Sequence, residues 1–148
     1  MLMIFKTQSA KETTILGEKF FHCLSGGDVV LLEGALGGGK TTFIKGILQA
    51  AGYRGRVLSP TFTLARNYMA KQNNFCHVDL YRLGKDELFD WGLSDFLYAD
   101  KIITLIEWGE KIEGDLERYI KIDFEYAGEN KRKIIFTVKG YPKNKSCF

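Results

Sequence analysis

A short glycine-rich stretch carries the clearest chemical pattern in the chain. Residues 34–41 read GALGGGKT and match the spacing G-x-x-x-x-G-K-[ST] in full. Glycines here let the backbone turn its N–H groups inward as a nest for phosphate oxygens, and the positive end of a following helix adds to that field. Lys40 supplies a point charge for the outer phosphates, and the Thr41 hydroxyl is a candidate Mg²⁺ ligand. The residues expected to contact the nucleotide here are Gly34, Leu36, Gly37, Gly38, Gly39, Lys40, Thr41 and Thr42.

Two acidic residues follow apolar runs, as the second half of a phosphate-loop site requires. Such a site needs a carboxylate at the end of a neighbouring strand, which holds Mg²⁺ directly or through water. Asp79 ends one apolar run and Glu107 ends another. One of them would face the metal while the other orients the attacking water or acts as the base; for either one, an ordinary solvated strand end is the alternative. Cys76 and His77 are adjacent and point to opposite faces of a strand, so we interpret both as packing residues.

Two more features border this pattern. Thr61 lies in the segment 59–63, where many phosphate-loop proteins have a switch that senses the γ-phosphate; a proline-initiated turn is the alternative. Trp108 follows Glu107 directly, and it either walls the nucleotide site or packs in the core. The chain contains no N-K-x-D motif, which reads guanine, and we therefore expect ATP as the nucleotide.

Hydrophobic periodicity divides the chain into alternating strands and helices. The predicted elements are a short N-terminal strand, a helix beginning at Ser9, a buried strand over 29–32, a helix ending at Gly52, extended segments over 57–69 and 75–83, a helix over 85–98, a buried strand over 102–106, and a hairpin of 119–126 with 133–139. This order predicts an α/β, P-loop NTPase-like fold with a mostly parallel central sheet, flanking helices and an antiparallel C-terminal hairpin. We interpret residues 1–148 as a single P-loop ATPase domain, because no repeat or linker divides them.

The composition favours a cytoplasmic protein. Hydrophobic residues make up 45% and charged residues 26% of the chain, and no run approaches the roughly 18 apolar residues that span a bilayer. An odd number of cysteines, three, without C-x-x-C spacing predicts reduced thiols. The net charge of +3 is small, but the chain from Lys131 onward has six basic residues and no acid. This tail is either solvated or a docking surface for an acidic partner or for RNA phosphates.

The ordered set of motifs resembles one family. Besides the glycine-rich stretch, the chain has SPTFTL at 59–64, HVDLYRL at 77–83 and IEWGEK at 106–111. Together they are similar to the TsaE (YjeE) family, the bacterial ATPases of tRNA threonylcarbamoyladenosine biosynthesis, over about residues 9–140. The roles that the resemblance implies are Mg²⁺ ligation by Thr41 and Glu107, phosphate binding by Lys40, catalysis or water positioning near the γ-phosphate by Asp79, and a switch-like loop containing Thr61.

The resemblance also implies cofactors and partners. ATP and Mg²⁺ would be the cofactors, and TsaD and TsaB the partner proteins that install threonylcarbamoyl on the adenosine next to the anticodon. The ATPase would reset that complex between turnovers, with at most an indirect or transient tRNA contact and no membrane. The chain departs from the family at Ala35, where Asp is usual, and at Gly38, where Ala is common. Neither change removes a backbone donor, but both leave the turnover of the loop open.

Two other functions share the phosphate loop. A small-molecule kinase needs an acceptor pocket and usually an arginine-bearing lid, whereas the mid-chain arginines are scattered at positions 54, 56, 66 and 82. A nucleotide-gated binding module, in which hydrolysis is incidental, would carry the same motifs as a slow ATPase. No arginine stands at a recognisable finger position, so the sequence leaves this alternative open.

Overall fold

A seven-stranded sheet forms the frame of the molecule. The computed structural model describes residues 1–84, 86–87, 92–142 and 145. The strands are β1 (Leu2–Thr7), β2 (Val29–Glu33), β3 (Ala65–Met69), β4 (Asn74–Asp79), β5 (Ile102–Glu107), β6 (Tyr119–Tyr126) and β7 (Arg132–Lys139). The α-helices described in full are α1 (Ala10–Phe21) and α2 (Lys40–Ala50), and 3₁₀ turns lie at Leu93–Asp95, Gly109–Lys111 and Glu113–Asp115. Asp86 and Glu87, within the predicted helix over 85–98, are also α-helical.

The sheet has a parallel centre and antiparallel edges. Its order is β1-β7-β6-β2-β5-β4-β3, and the neighbours from β6 to β4 pair in parallel. The outer pairs β1–β7, β7–β6 and β4–β3 are antiparallel. The predicted α/β class and the C-terminal hairpin are therefore confirmed. Because β2, β5 and β4 run in parallel, their carboxyl ends lie along one edge of the sheet, where ligands bind in such folds.

Both faces of the central strands are buried. Leu32 of β2 joins the same buried cluster as Phe43 of α2 and Phe20 of α1, so the two helices cover one face. Leu31, whose side chain alternates to the opposite face, lies in a second cluster with Ile112, between two of the 3₁₀ turns. Burial on both faces explains why β2 is a continuous apolar run up to its last residue. No helix in the described part of the chain has the length and apolarity that crossing a membrane requires.

The two helices cross at very close range because each has a glycine at the contact. A Cβ on Gly17 would lie 2.2 Å from the carbonyl oxygen of Phe43, and one on Gly46 would lie 2.0 Å from that of Thr14. Any side chain at either position would collide with backbone that cannot move aside. The crossing thus fixes α2, and with it the glycine-rich loop at its N-terminus, relative to α1 and the sheet.

Three predicted boundaries are wrong. The extended segment over 57–69 is a strand only at Ala65–Met69, since the chain before it is a loop in which Leu64 takes a φ of 64°. Strand β4 ends at Asp79 and not at residue 83. Within the predicted helix over 85–98, Leu93–Asp95 forms a 3₁₀ turn and Tyr98 has a φ of 61°, a left-handed conformation that an α-helix cannot continue through. Residues 85 and 88–91 of that prediction lie outside the described residues.

Candidate functional site

The glycine-rich loop opens into a cleft at the carboxyl edge of the parallel strands. The loop connects β2 to α2, and Gly34, Gly37 and Gly39 take φ angles of 141°, 72° and 106°, a region that favours glycine. The cleft beside it has a volume of about 310 Å³. Its walls are Leu36, Gly37, Gly38, Gly39, Lys40, Thr41, Thr42, Ser59, Thr61, Asp79 and Glu107. Of the predicted site residues, only Gly34 and Trp108 lie outside this set. The nucleotide contacts of all of them stay predictions.

Lys40 is the cation of the cleft. Its side chain is buried, and its ammonium donates to the carbonyl oxygens of Gly34 and, at 3.4 Å, of Ala35. The same ammonium lies 4.5 Å from the centre of the Trp108 ring, so Trp108 packs against the lysine. Burial lowers the pKa of Lys40, and the carboxylates of Glu107 and Asp79 oppose that shift. The positive charge of the ammonium is therefore only partly compensated by the neighbouring carboxylates, so the group can bind an anion.

The Asp79 carboxylate is held by hydrogen bonds from the loop before β3 and from the backbone that follows β4. Its Oδ2 accepts hydrogen bonds from Thr61 Oγ1 at 2.8 Å and from Ser59 Oγ at 3.3 Å. Its Oδ1 accepts the backbone N–H of Tyr81 at 2.9 Å. The carboxylate is almost fully buried, so these donors replace its lost hydration. The loop that contains the SPT sequence was predicted as a possible switch. It is thus hydrogen-bonded directly to one of the two strand-end acids.

Glu107 stands beside Asp79 and is held by a histidine. The two acids are paired in the register of β5 with β4, and both are buried. His77 Nε2 lies 2.9 Å from Glu107 Oε1, and the imidazole is fully buried. The sequence predicts His77 to be a packing residue, and its contact with Glu107 was not predicted. The available signal was the H-x-D spacing, because alternation along β4 places His77 and Asp79 on the same face.

Glu33 is a third strand-end acid, for which no role was predicted from the sequence. It is the last residue of β2 and is buried on the face opposite to Leu32, which packs against the α-helices. Desolvation by burial, reinforced by the neighbouring Glu110, raises the pKa of Glu33 to about 9. A carboxyl group with this pKa is protonated and neutral at pH 7, unlike an acid that ligates a metal ion.

Lys111 organises the chain that follows Asp79. Its ammonium donates to the carbonyl oxygens of Leu80 at 2.6 Å, Tyr81 at 3.2 Å and Leu83 at 2.8 Å. These contacts join the IEWGEK segment to the HVDLYRL segment. They explain why β4 ends at Asp79: the carbonyl groups of the residues that follow bind a lysine instead of a neighbouring strand.

Three of the basic residues of the C-terminal part have partners within the structure. Lys133 pairs with Glu125 at 3.0 Å, and Lys145 pairs with Asp28 at 2.6 Å. Arg132 donates to backbone carbonyl groups of the glycine-rich loop. Lys143 lies outside the described residues. Lys131 and Lys139 are exposed, and a docking surface in this part of the chain stays a prediction.

Thr41 and Glu107 fit the requirements of a Mg²⁺ site. Both line the cleft and offer the oxygen ligands that this ion prefers, and His77 occupies only one of the two Glu107 oxygens. The described residues contain no group of three or more His, Cys, Asp or Glu side chains that would enclose a metal ion. Mg²⁺ is commonly bound by one or two protein oxygens together with substrate phosphates and water, which is the arrangement this cleft allows.

Comparisons with known proteins give a consistent result. The family model described as "Threonylcarbamoyl adenosine biosynthesis protein TsaE" matches residues 7–134. The chain is 36% identical over 137 residues to the tRNA threonylcarbamoyladenosine biosynthesis protein TsaE of Bacillus subtilis, covering 92% of this chain and 85% of the relative. It is 35% identical over 130 residues to the protein of the same name from Treponema pallidum, covering 86% and 95%.

A solved structure shares the fold. The crystal structure of Bacillus subtilis YdiB superimposes with a TM-score of 0.81 at 30% sequence identity, and the match covers 95% of this chain and 87% of that one. The likeness therefore extends over nearly the whole chain.

Proposed function

The chain belongs to the TsaE family of tRNA threonylcarbamoyladenosine biosynthesis proteins, and from that premise we propose that it is the ATPase subunit of this pathway. It would bind ATP with Mg²⁺ and act in the cytoplasm with TsaB and TsaD, which would carry out the transfer to tRNA. One observation supports the ATPase activity most strongly. The glycine-rich loop, the buried lysine and two donor-bound acids converge on one cleft of about 310 Å³.

The division of roles in this cleft follows from the contacts. Backbone N–H groups of the loop and the Lys40 ammonium bind the phosphates, because both are donors in a site with little water. Thr41 and Glu107 would hold Mg²⁺, which would supply charge neutralisation at the phosphates. His77 fixes the orientation of the Glu107 carboxylate through its 2.9 Å contact.

Asp79 is the residue that we assign to the attacking water. Its carboxylate stays close to Glu107 but is bound by different donors, the hydroxyl groups of Thr61 and Ser59. A shift of the SPT loop would change those two hydrogen bonds and thus the orientation of the carboxylate. We infer that Thr61 connects the state of the γ-phosphate to Asp79.

Hydrolysis by the chain alone is expected to be slow. None of the residues that the structure describes as lining the cleft is an arginine. P-loop proteins without an arginine finger are slow until a partner supplies one, and that can raise turnover by about 10³–10⁵-fold. This is the behaviour of an accessory subunit whose cycle is controlled by the complex to which it binds.

The test is ADP release by the chain alone and with purified TsaB–TsaD, with and without tRNA, alongside a Lys40→Ala variant as the inactive control. We expect slow release by the chain alone and a changed rate with the partners. Fast turnover that ignores the partners would contradict an accessory role. Acceleration by a small-molecule acceptor would favour a kinase, and full modification cycles with a non-hydrolysable ATP analogue would favour a nucleotide-gated binding module.

A further inference from the structure

Two side chains of the β6–β7 hairpin donate hydrogen bonds to the phosphate loop. Arg132, the first residue of β7, donates from Nε to the Gly38 carbonyl oxygen at 3.0 Å and from Nη2 to that of Gly37 at 3.3 Å. The hydroxyl of Tyr126, the last residue of β6, donates to the Leu36 carbonyl oxygen at 2.9 Å. The guanidinium also lies over the Tyr126 ring, 4.3 Å from its centre. Three successive carbonyl groups of the loop are thus bound by the hairpin.

We propose that Arg132, together with Tyr126, is a positioning residue of the nucleotide site and sets the direction of the phosphate-binding amides. A peptide unit is planar and trans, so its C=O and N–H groups point in opposite directions. Fixing the carbonyl groups of residues 36, 37 and 38 therefore fixes the N–H groups of Gly37, Gly38 and Gly39. The Gly38 N–H donates to the Ala35 carbonyl oxygen at 2.9 Å within the loop, so the peptide unit between Gly37 and Gly38 is bound at both ends. The amides of Gly37 and Gly39 are the ones that we expect Tyr126 and Arg132 to hold ready for phosphate before a nucleotide arrives.

The composition of the loop explains why it needs such support. Residues 37–39 are three consecutive glycines, which lose more conformational freedom on ordering than any other residues. A Cβ at Gly38 would lie 2.8 Å from the Ala35 carbonyl oxygen, so the loop in this form excludes the alanine that would otherwise stiffen it. The hairpin provides the missing rigidity, because β7 is paired on both sides, with β1 and with β6.

The shape of the arginine side chain matters as much as its charge. Its third nitrogen, Nη1, donates to carbonyl groups in its own turn, at 2.8 Å to Lys131 and 3.2 Å to Glu129. The guanidinium therefore spans the hairpin turn and the phosphate loop at once, which the single ammonium of a lysine cannot reproduce. Arg132 also lines a cleft of about 170 Å³ together with Gly37, Gly39 and Thr42, so its charge lies close to the nucleotide site.

The experiment compares Arg132→Gln with Lys131→Gln, a matched control that removes the same charge from the exposed neighbouring side chain. Backbone ¹⁵N order parameters of Gly37, Gly38 and Gly39 are measured in the nucleotide-free proteins, and ATP affinity is measured by calorimetry. Arg132→Gln is expected to lower the order parameters and to weaken ATP binding about tenfold, since it removes two charge-assisted hydrogen bonds. Lys131→Gln should leave both as in the wild type, and Arg132→Lys should restore them only in part.

The two arms separate this inference from the proposed function on which its consequence rests. A wild-type chain that does not bind ATP would refute the ATPase assignment, while the order parameters would still test the positioning role. Unchanged glycine order parameters in folded Arg132→Gln would overturn the inference, whatever the affinity. If Arg132→Gln does not fold, Tyr126→Phe decides: this change removes one hydroxyl from an exposed ring, and it should raise the mobility of the Gly37 amide most.

Discussion

Asp79 and Glu33 end parallel strands at the same edge of one sheet, yet their surroundings are opposite. Asp79 is on the face covered by α2 and accepts hydrogen bonds from Thr61, Ser59 and the Tyr81 backbone. Glu33 is on the other face, where burial and the nearby Glu110 raise its pKa to about 9. Strand-end position brings an acid to the ligand-binding edge. The face it occupies and the donors around it decide whether it can carry charge there.

Glu107 supports the same distinction. It is buried to nearly the same extent as Glu33, with 4% and 7% of the residue surface exposed, but His77 binds one of its oxygens. It also lines the same cleft as Lys40. Burial alone therefore does not separate the acid that we propose to bind Mg²⁺ from the neutral one. The hydrogen bond from His77 and the charge of Lys40, on the face of the sheet covered by α2, make the difference between the two acids.

The largest expected effect comes from neutralising Asp79. In Asp79→Asn the side-chain shape is kept, but the charge that we propose to orient the attacking water is lost. We expect ATP turnover to fall by about 10²-fold or more, the usual contribution of a positioned acid or base, with Mg²⁺-dependent ATP binding largely retained. Single-turnover ADP release and calorimetry measure the two quantities separately.

The control for this prediction is Asp95→Asn, the same change at an exposed acid in a 3₁₀ turn away from the cleft. It should leave turnover unchanged. If Asp79→Asn abolished Mg²⁺-dependent binding while Glu107→Ala left it intact, the roles of the two acids would be exchanged.

Removing the cation should have the next largest effect. Lys40→Ala takes away a charge-assisted phosphate contact that contributes about 1.5–3 kcal/mol, so ATP affinity should fall about ten- to hundredfold and hydrolysis should be lost. Calorimetry measures the affinity, and circular dichroism checks that the variant is folded. Lys45→Ala, an exposed lysine on the same helix, is the matched control. Unchanged ATP affinity in folded Lys40→Ala would refute the phosphate-loop assignment.

The third effect tests whether the histidine distinguishes Glu107 from Glu33. His77→Leu removes the donor while keeping an apolar side chain of similar size, and should weaken Mg²⁺-dependent ATP binding about tenfold, because residues that orient metal ligands affect affinity on that scale. His77→Gln retains an N–H donor and should lose less. ATP affinity is measured by calorimetry with and without Mg²⁺. Equal losses in the two variants would mean that His77 contributes packing only.

Local patterns predicted the part of the site that is local in the chain. The glycine spacing, the apolar run of β2 and the strand-end acids are all contained in short segments. Helix α1 likewise begins at its predicted cap, where the Ser9 hydroxyl accepts the Glu12 N–H at 3.2 Å. The loop over 57–64 was predicted as a strand because its residues favour extended backbone. Its actual course is set by the backbone N–H of Asp79, which donates to Leu64 at 2.9 Å.

The contacts that the sequence could not predict join distant segments. The phosphate loop and Arg132 are 94 positions apart at the Gly38 contact, and Lys111 reaches the Leu80 carbonyl across 31 positions. Each depends on which strands are neighbours, and hydrophobic periodicity carries no information about strand order. The neutral state of Glu33 is unpredictable for the same reason, since it depends on Glu110 and on the covering of one sheet face.

The smallest expected effect on nucleotide binding comes from Glu33→Gln, which should instead change how stability depends on pH. The folded chain keeps this proton up to a pH of about 9, whereas the ordinary pKa is 4.5, so between these values the folded state binds more protons than the unfolded state. The unfolding free energy therefore falls as pH rises through this window, by at most about 1.4 kcal/mol per pH unit. Glutamine has the same shape and no proton to lose, so the unfolding free energy of the variant should depend less on pH. Urea unfolding at about pH 5.5 and about pH 8.5 measures it, with the exposed Glu117→Gln as control. The same pH dependence in Glu33→Gln and the wild type would show that Glu33 is ionised in the folded protein, and its contrast with Asp79 would be lost.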